Sequence, residues 1–366
     1  MFVILFTSLF IFNVFFQIFE DKRLIFFLNI VFTTAIYFLS FYGITETADS
    51  SGYEYVFKHP EIKIEFIFRE LSDYLFEKGY QYIFLFKLHI IVIGVLFIKF
   101  ISRFTTNIFL IFSYFILLNY VPLANQIRYF LSLSLFLNGL YSLYISKNKI
   151  AFGLYSLLAV LSHYYVPVLF LFLFFNRTKN DDRYIRKLTI YGFIGFLVVF
   201  MFFITGFLSS LLSLTLYFNA NKTSSILGGV YNCLPYTIIL FFMVKRHKGV
   251  LDKHPILQQD IKFHFLYRLS LLPILFLPVS LYAQILAHRF CFPFLLIWLI
   301  YFIYPLKNKR EFTTIINYIA VISVVMIGMF YYYYFLSNII LGHESHFFKE
   351  FIRTFNSVNY IEKNLF

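Results

Sequence analysis

Long apolar runs recur from one end of the chain to the other, and they decide what it can fold into. Hydrophobic residues make up 60% of the 366 residues and charged residues only 13%. A helix needs about 20 apolar residues to cross the hydrocarbon core of a bilayer. The runs fall at 2–19, 24–42, 81–98, 106–121, 128–146, 150–163, 165–176, 188–207, 231–244, 265–282, 290–306 and 313–335. We therefore expect an all-α, polytopic integral membrane protein with about 12 transmembrane helices.

The run at 2–19 lacks a basic leading segment and a small-residue cleavage site, so we interpret it as a retained helix. Cys233 and Cys291 both stand in apolar sequence, which favours small buried side chains over a disulfide. The sequence contains no CxxC, HExxH, P-loop or GxGxxG motif. We accordingly expect no metal site and no cofactor.

The adjacent runs 150–163 and 165–176 are each short for a span. A single helix through both would place Lys147 and the basic segment 177–187 on opposite faces of the membrane, which the positive-inside rule disfavours. Pro167 also suits the first turn of a new helix. We predict two short helices that form a hairpin, with its outer tip at "SHYYVP".

The net charge of +13 raises the possibility of a nucleic-acid surface. The loops predicted to be cytoplasmic are 20–23, 99–105, 147–149, 177–187, 245–268 and 307–311. Together they hold 20 Lys and Arg against 7 Asp and Glu, whereas the rest of the chain holds 11 of each. This asymmetry is typical of membrane orientation, and it argues against a nucleic-acid partner.

We expect a single transmembrane domain over 1–366, with a main outer loop at 43–80 and an outer tail at 336–366. Segment 62–78 in the loop and segment 347–358 in the tail are amphipathic, which predicts helices lying in the outer interface. The apolar stripe of the first segment consists of Ile64, Ile67, Phe68, Leu71 and Leu75.

Isolated charges cluster on the predicted outer side. Arg128 opens the fifth span in "NQIRYFLSLSLFLNG", and Arg289 opens the eleventh in "AQILAHRFCFPFLLIWLIYF". His163 stands at the hairpin tip, Lys87 lies about two turns into the third span, and Glu77 precedes that span. Each cation can snorkel to lipid headgroups, but several at one level favour a shared pocket. Two forked guanidinium groups match the oxygens of a lipid diphosphate.

Aromatic residues crowd the same predicted level, namely Tyr129, Tyr164, Tyr165, Tyr80 and Tyr282. An interfacial aromatic belt accounts for such tyrosines. Stacking on the sugar rings of a glycan is the alternative interpretation.

The stretch "NQIRYFLSLSLFLNGLYSLYISKNKIAFGLYSLLAVLSHYYVPVLFLF" resembles the EpsG family of exopolysaccharide and O-antigen polymerases, the Wzy-type proteins. Members pair an arginine that opens a helix with a short basic turn and a helix that ends in small residues and a histidine. Here these are Arg128 and Ala159 to His163. "EKGYQYIFLF", Asp49 with Tyr53, and "HRFCFPFLLIWLIYFIYPL" are similar to further family segments. Tyr129 departs from the Gln or Glu that often follows the first arginine.

The resemblance implies transfer of a growing glycan from undecaprenyl diphosphate to the next lipid-linked repeat unit. The reaction would take place outside the bacterial inner membrane, without metal, and a chain-length regulator is a possible partner. Arg128, Arg289 and Lys87 would hold the diphosphate. Glu77, His163 and Asp49 are the candidates for a general base.

Three other functions remain open at this stage. A lipid-linked glycan ligase, or another polyprenyl-dependent glycosyltransferase, uses the same cationic chemistry but commonly has a larger outer domain. A lipid-linked oligosaccharide transporter commonly places its charges near the midplane in two related halves. A structural or assembly protein needs none of these charges.

Overall fold

The computed structural model describes residues 22–45, 47, 49–59, 61–62, 65–177, 180–204, 226–281, 289–305, 328–329 and 332. The apolar run 2–19, the tail 336–366 with its amphipathic segment, and most of the run 313–335 lie outside the described residues.

Helices, turns and bends make up the regular structure in these ranges, which contain no β-strand. The α-helices are α1 Lys22–Tyr42, α2 Ser50–Lys58, α3 Phe66–Glu77, α4 Tyr82–Ser102, α5 Ile108–Asn125, α6 Ile127–Tyr144, α7 Lys149–Ser162, α8 Leu171–Phe175, α9 Asp181–Ile204, α10 Ile226–Lys253, α11 Ile261–Leu271, α12 Leu277–Ser280 and α13 Leu295–Ile303. The predicted all-α class is confirmed.

Within the described ranges, three helices are long and apolar enough to cross a membrane: Arg23–Tyr42, Tyr82–Ser102 and Ile108–Asn125. Shorter apolar helices cover Lys149–Ser162, Val166–Phe175 and Phe292–Ile303. The first two of these short helices cover the runs 150–163 and 165–176, and Pro167 is the second residue of the helical segment that follows the break. Their pairing as a hairpin stays a prediction. The total of about 12 spans stays a prediction.

The chain folds into two compact units, Met1–Val168 with Lys309–Phe366, and Leu169–Asn308. In the first unit α5 is buried along almost its whole length. It packs against α1, α4 and α6, and α6 in turn packs against α4 and α7. Because α6 and α7 run in opposite directions through a short turn, the start of α6 lies beside the end of α7.

Gly94 allows α1 and α4 to approach closely. The ring of Tyr37 on α1 lies where a Cβ at Gly94 would stand, and its hydroxyl donates a hydrogen bond to the Ile90 carbonyl at 2.7 Å. Any side chain at position 94 would therefore displace a buried ring that is held at both ends.

The short helices α2 and α3 pack against α4, and α3 also packs against α7. The buried side chains of α3 are Phe68, Ser72 and Leu75. The predicted amphipathic helix thus exists over Phe66–Glu77, and its buried face is shifted slightly from the predicted stripe, since Ile67 and Leu71 are partly exposed. Through this face, α3 packs beside the start of α6 and the end of α7.

In the second unit, α9 packs against the 3-10 turn Leu272–Leu275 and α12. A Cβ at Gly192 would lie 2.9 Å from the Leu275 carbonyl oxygen, so glycine lets the two segments touch. The helices α11 and α13 pack together, and Trp298 donates a hydrogen bond to the Ser270 carbonyl at 2.8 Å.

Cys233 and Cys291 are buried free thiols, as the apolar sequence around them predicted. Their sulfur atoms lie near the carbonyl oxygens of Leu277 and Pro273, at 3.9 and 4.0 Å respectively. Both cysteines therefore act as small core residues of the second unit.

Candidate functional site

Arg128 is the second residue of α6, directly after the break that ends α5 at Asn125. Its guanidinium Nη1 donates a hydrogen bond to Oε2 of Glu65, which precedes α3. The two side chains are 22% and 7% exposed. The carboxylate of Glu65 stabilises the positive charge of Arg128, because an unpaired guanidinium in these surroundings would carry a large desolvation cost.

Two aromatic rings cover the guanidinium of Arg128. Its Cζ lies 4.9 Å from the ring centre of Tyr53 on α2 and 5.3 Å from that of Phe68 on α3. These two rings also contact each other, with their centres 5.4 Å apart. The cation is therefore stabilised by ring faces as well as by a carboxylate.

His163, directly after α7, approaches the same carboxylate. Its Nε2 lies 3.9 Å from Oε1 of Glu65. Its Nδ1 accepts a hydrogen bond from the backbone N–H of Tyr165 at 3.1 Å. The neutral imidazole consequently carries its proton on Nε2, the nitrogen that faces Glu65. In this arrangement the N–H of His163 faces the carboxylate of Glu65, although 3.9 Å is too long for a hydrogen bond.

Two predicted tyrosines fix the imidazole of His163. Tyr129 meets it edge to face at 5.5 Å, and Tyr165 lies 5.3 Å away. Tyr129 is only 1% exposed, so its ring is part of the core around the histidine and offers no open face to a sugar. Ser132 and the Ala159 carbonyl join α6 to α7 by a hydrogen bond nearby.

Glu65 is the residue that reasoning from the sequence missed. It lies three, seven and ten positions before Phe68, Ser72 and Leu75, so it continues the buried face of α3. An acid on the apolar face of an amphipathic segment was the available signal. The resemblance to the EpsG family had instead drawn attention to position 129 as the place for an acidic partner.

The candidate base residues are placed differently by the structure. Asp49 precedes α2 and its carbonyl accepts a hydrogen bond from the Tyr53 N–H at 3.0 Å, so it stands one turn from the ring that covers Arg128. Glu77 is exposed and is the last residue of α3. At 1.5 Å per residue it lies about 18 Å along the helix from Glu65. The structure therefore brings His163 and Asp49 to the Arg128 region, while Glu77 lies at the far end of α3.

Burial raises the pKa of Tyr53, and the nearby Arg128 opposes part of that rise. The phenol is therefore neutral at physiological pH, with a proton to donate. Among the described groups, Arg128 also has a buried Nε for which no hydrogen-bond partner is present. The cluster thus retains a donor that no described group uses.

Three further predicted residues have surroundings of their own. Lys87 stands over the ring of Tyr42, with its Nζ 4.3 Å from the ring centre. Tyr80 is 47% exposed and stacks on Phe84 at 4.6 Å. Tyr164 is 63% exposed. Both tyrosines are exposed, and sugar stacking by them stays a prediction.

Arg289 belongs to the second unit, immediately before the buried segment Phe290 to Phe294. Phe290 stacks on Phe276 at 4.6 Å, which anchors this part of the chain. The convergence of Arg128 and Arg289 on one ligand stays a prediction.

In the described part of the chain, apolar helices of membrane-spanning length indicate a polytopic membrane protein. A part-buried arginine, a buried glutamate and a buried histidine lie together at the ends of helices. The sequence model of the EpsG family matches residues 25–349, and the chain belongs to this family. Membership indicates a function of the polysaccharide-polymerase type. No curated protein and no solved structure matches the chain significantly.

Proposed function

We propose that the protein is a polysaccharide polymerase of the bacterial inner membrane. It transfers a growing O-antigen or exopolysaccharide chain from undecaprenyl diphosphate to the next lipid-linked repeat unit, on the outer side of the membrane. Membership of the EpsG family supports the reaction class. The observation that carries the proposal is the part-buried pairing of Arg128 with Glu65 under two aromatic rings.

The chemistry requires stabilisation of a leaving diphosphate as the glycosidic bond breaks. Fixed cations in a water-poor site stabilise that developing charge without reorganisation. Arg128 supplies one forked donor set, and Arg289 supplies the second in this proposal. Lys87 adds positive charge at the same predicted level, so the transfer needs no metal ion.

Glu65 acts in this proposal as a positioning residue. Its carboxylate holds the guanidinium of Arg128 by one nitrogen. The hydroxyl of Tyr53 also bonds the guanidinium, and Nε stays available to bind a phosphate oxygen in this proposal. Nε2 of His163 faces the other carboxylate oxygen at 3.9 Å, within ion-pair range but beyond hydrogen-bond length. Asp49, which is exposed beside α2, is then the favoured general base for the acceptor hydroxyl.

A deletion strain tests the function. We expect cells without the gene to display single repeat units on their surface glycan, and complemented cells to display a ladder of long chains. Loss of all repeat units from the surface would contradict the proposal and indicate transport. Long chains that accumulate on the lipid carrier would contradict it in a different way and indicate a ligase.

A further inference from the structure

A cluster of metal-ligating side chains occurs in the second unit. Asp181 is the first residue of α9, His247 lies near the end of α10, and His264 lies in the first turn of α11. One ligand atom from each residue lies within 4.8 Å of the other two. The three residues come from segments 177–187 and 245–268, both of which the charge pattern predicts to be cytoplasmic.

His247 is held rigidly with one nitrogen directed into the cluster. Its ring stacks on Tyr267 with the centres 3.4 Å apart and the planes 1° apart. Its Nδ1 and the hydroxyl of Tyr301 are 3.0 Å apart. The residue is 6% exposed, and its Nε2 has no hydrogen-bond partner in the part of the chain that the structure describes. A buried nitrogen of this kind is costly unless something binds it.

Neighbouring groups hold the other two candidate ligands, Asp181 and His264, by hydrogen bonds. Nε and Nη2 of Arg268 both donate to Oδ1 of Asp181, at 2.9 and 2.8 Å. Oδ2 of Asp181 faces Nε2 of His247 at 3.9 Å. Nε2 of His264 lies 2.9 Å from the Gln258 carbonyl oxygen, which leaves its other ring nitrogen to act as a ligand. Metal-ligating histidines commonly donate their second N–H to such a group.

The 3.9 Å separation is too long for a hydrogen bond. Two atoms that each bind Zn²⁺ at about 2.0–2.1 Å in tetrahedral geometry lie about 3.3 Å apart. A small adjustment of either side chain therefore admits an ion between them. Two imidazoles and one carboxylate suit Zn²⁺, whereas Mg²⁺ and Ca²⁺ prefer oxygen ligands.

We propose that Asp181, His247 and His264 bind one Zn²⁺ ion, with a fourth position open to water or another ligand. The ion joins the start of α9 to α10 and α11, so binding stabilises the folded second unit by mass action. It takes no part in the transfer reaction proposed above.

The test uses the full-length protein in detergent, purified with a tag that lacks histidine and treated with EDTA. Zinc bound per chain is measured by mass spectrometry, and Co²⁺ is used as a spectroscopic probe. We expect one ion per chain, a cobalt spectrum in the tetrahedral or five-coordinate range, and a melting temperature that rises with added Zn²⁺. His264→Ala and His247→Gln should weaken binding at least tenfold, whereas His254→Ala, in the same segment but outside the cluster, should not.

Two results would overturn the proposal. One is a wild-type protein that takes up no Zn²⁺ at micromolar concentration. The other is an equal loss of zinc in His254→Ala and His264→Ala, which would indicate adventitious binding to exposed histidines. Because the first result comes from the wild-type chain, a variant that fails to fold does not remove the test.

Discussion

Glu65 accepts a hydrogen bond from Arg128 across 63 residues of sequence. The pair joins the start of α3 to the start of α6, and Phe68 covers it from the same face of α3. Helix α3 is therefore anchored to the helix bundle through a charge that the proposed reaction also uses. A single contact thus serves the stability of the loop and the orientation of the guanidinium.

The Glu65–Arg128 pair predicts an unequal effect of two substitutions. Glu65→Ala leaves a guanidinium in a mostly buried site without its partner, so we expect a loss of about 3 kcal/mol in the free energy of unfolding. Glu65→Gln keeps an acceptor oxygen and should lose less. Thermal unfolding of the purified protein measures both. Glu70→Ala, which breaks an exposed pair with Arg69, should change stability by less than about 1 kcal/mol, and equal losses at positions 65 and 70 would contradict the account.

Two substitutions at Tyr53 separate what its ring and its hydroxyl each contribute to holding Arg128. Tyr53→Phe keeps the aromatic face over Arg128, whereas Tyr53→Leu removes a cation–π contact of about 1 kcal/mol. We expect chain extension in membrane vesicles to fall less than fivefold for Tyr53→Phe, which loses only the hydroxyl that bonds Arg128, and at least fivefold for Tyr53→Leu, which also loses the ring. Equal rates for the two variants would mean that the ring face does not hold the cation.

The close approach of α1 and α4 predicts opposite outcomes for two glycines. Gly94→Ala forces the buried Tyr37 ring to move and should destabilise the protein by about 1–3 kcal/mol. Gly153→Ala, in open space on α7, should be neutral or stabilise by up to about 1 kcal/mol, because alanine favours the helix. Melting temperatures in detergent compare them. A tolerated alanine at position 94 would show that the two helices are not packed this closely.

The charge pattern predicts the side of the membrane on which each loop lies. In the variant Lys248→Cys, the new thiol should react with a membrane-impermeant reagent only after the cells are opened. In Glu54→Cys, it should react in intact cells whose outer layers are permeable. The native Cys233 and Cys291 are buried and provide a low background. The reverse labelling pattern would place the Arg128 site on the cytoplasmic side and would contradict the proposal of a reaction on the outer side.

The sequence predicted the parts of the site that local patterns encode. Arg128 stands at the head of an apolar run, and His163 follows a run too short to span, so the start of α6 and the end of α7 could both be located. Glu65 could not be paired in the same way, since the contact depends on how α3 packs against α7 and not on any spacing along the chain. The buried face of α3 lies slightly off the predicted stripe, and that shift concealed the acid.

The proposed zinc ligands were missed for a related reason. No short motif joins Asp181 to His247 and His264, because three helices bring them together. The expectation of no metal site followed from the absence of local spacing patterns, and such patterns do not report ligands supplied by separate elements.

The central claim is that Arg128 binds the diphosphate leaving group. The most direct measurement is the surface glycan profile of the deletion strain carrying Arg128→Ala, Arg128→Lys or Arg69→Ala, each at matched levels in the membrane. We expect single repeat units for Arg128→Ala and a normal ladder for Arg69→Ala. We expect short chains for Arg128→Lys, because a point charge lacks the guanidinium fork. A normal ladder from Arg128→Ala would contradict the central claim.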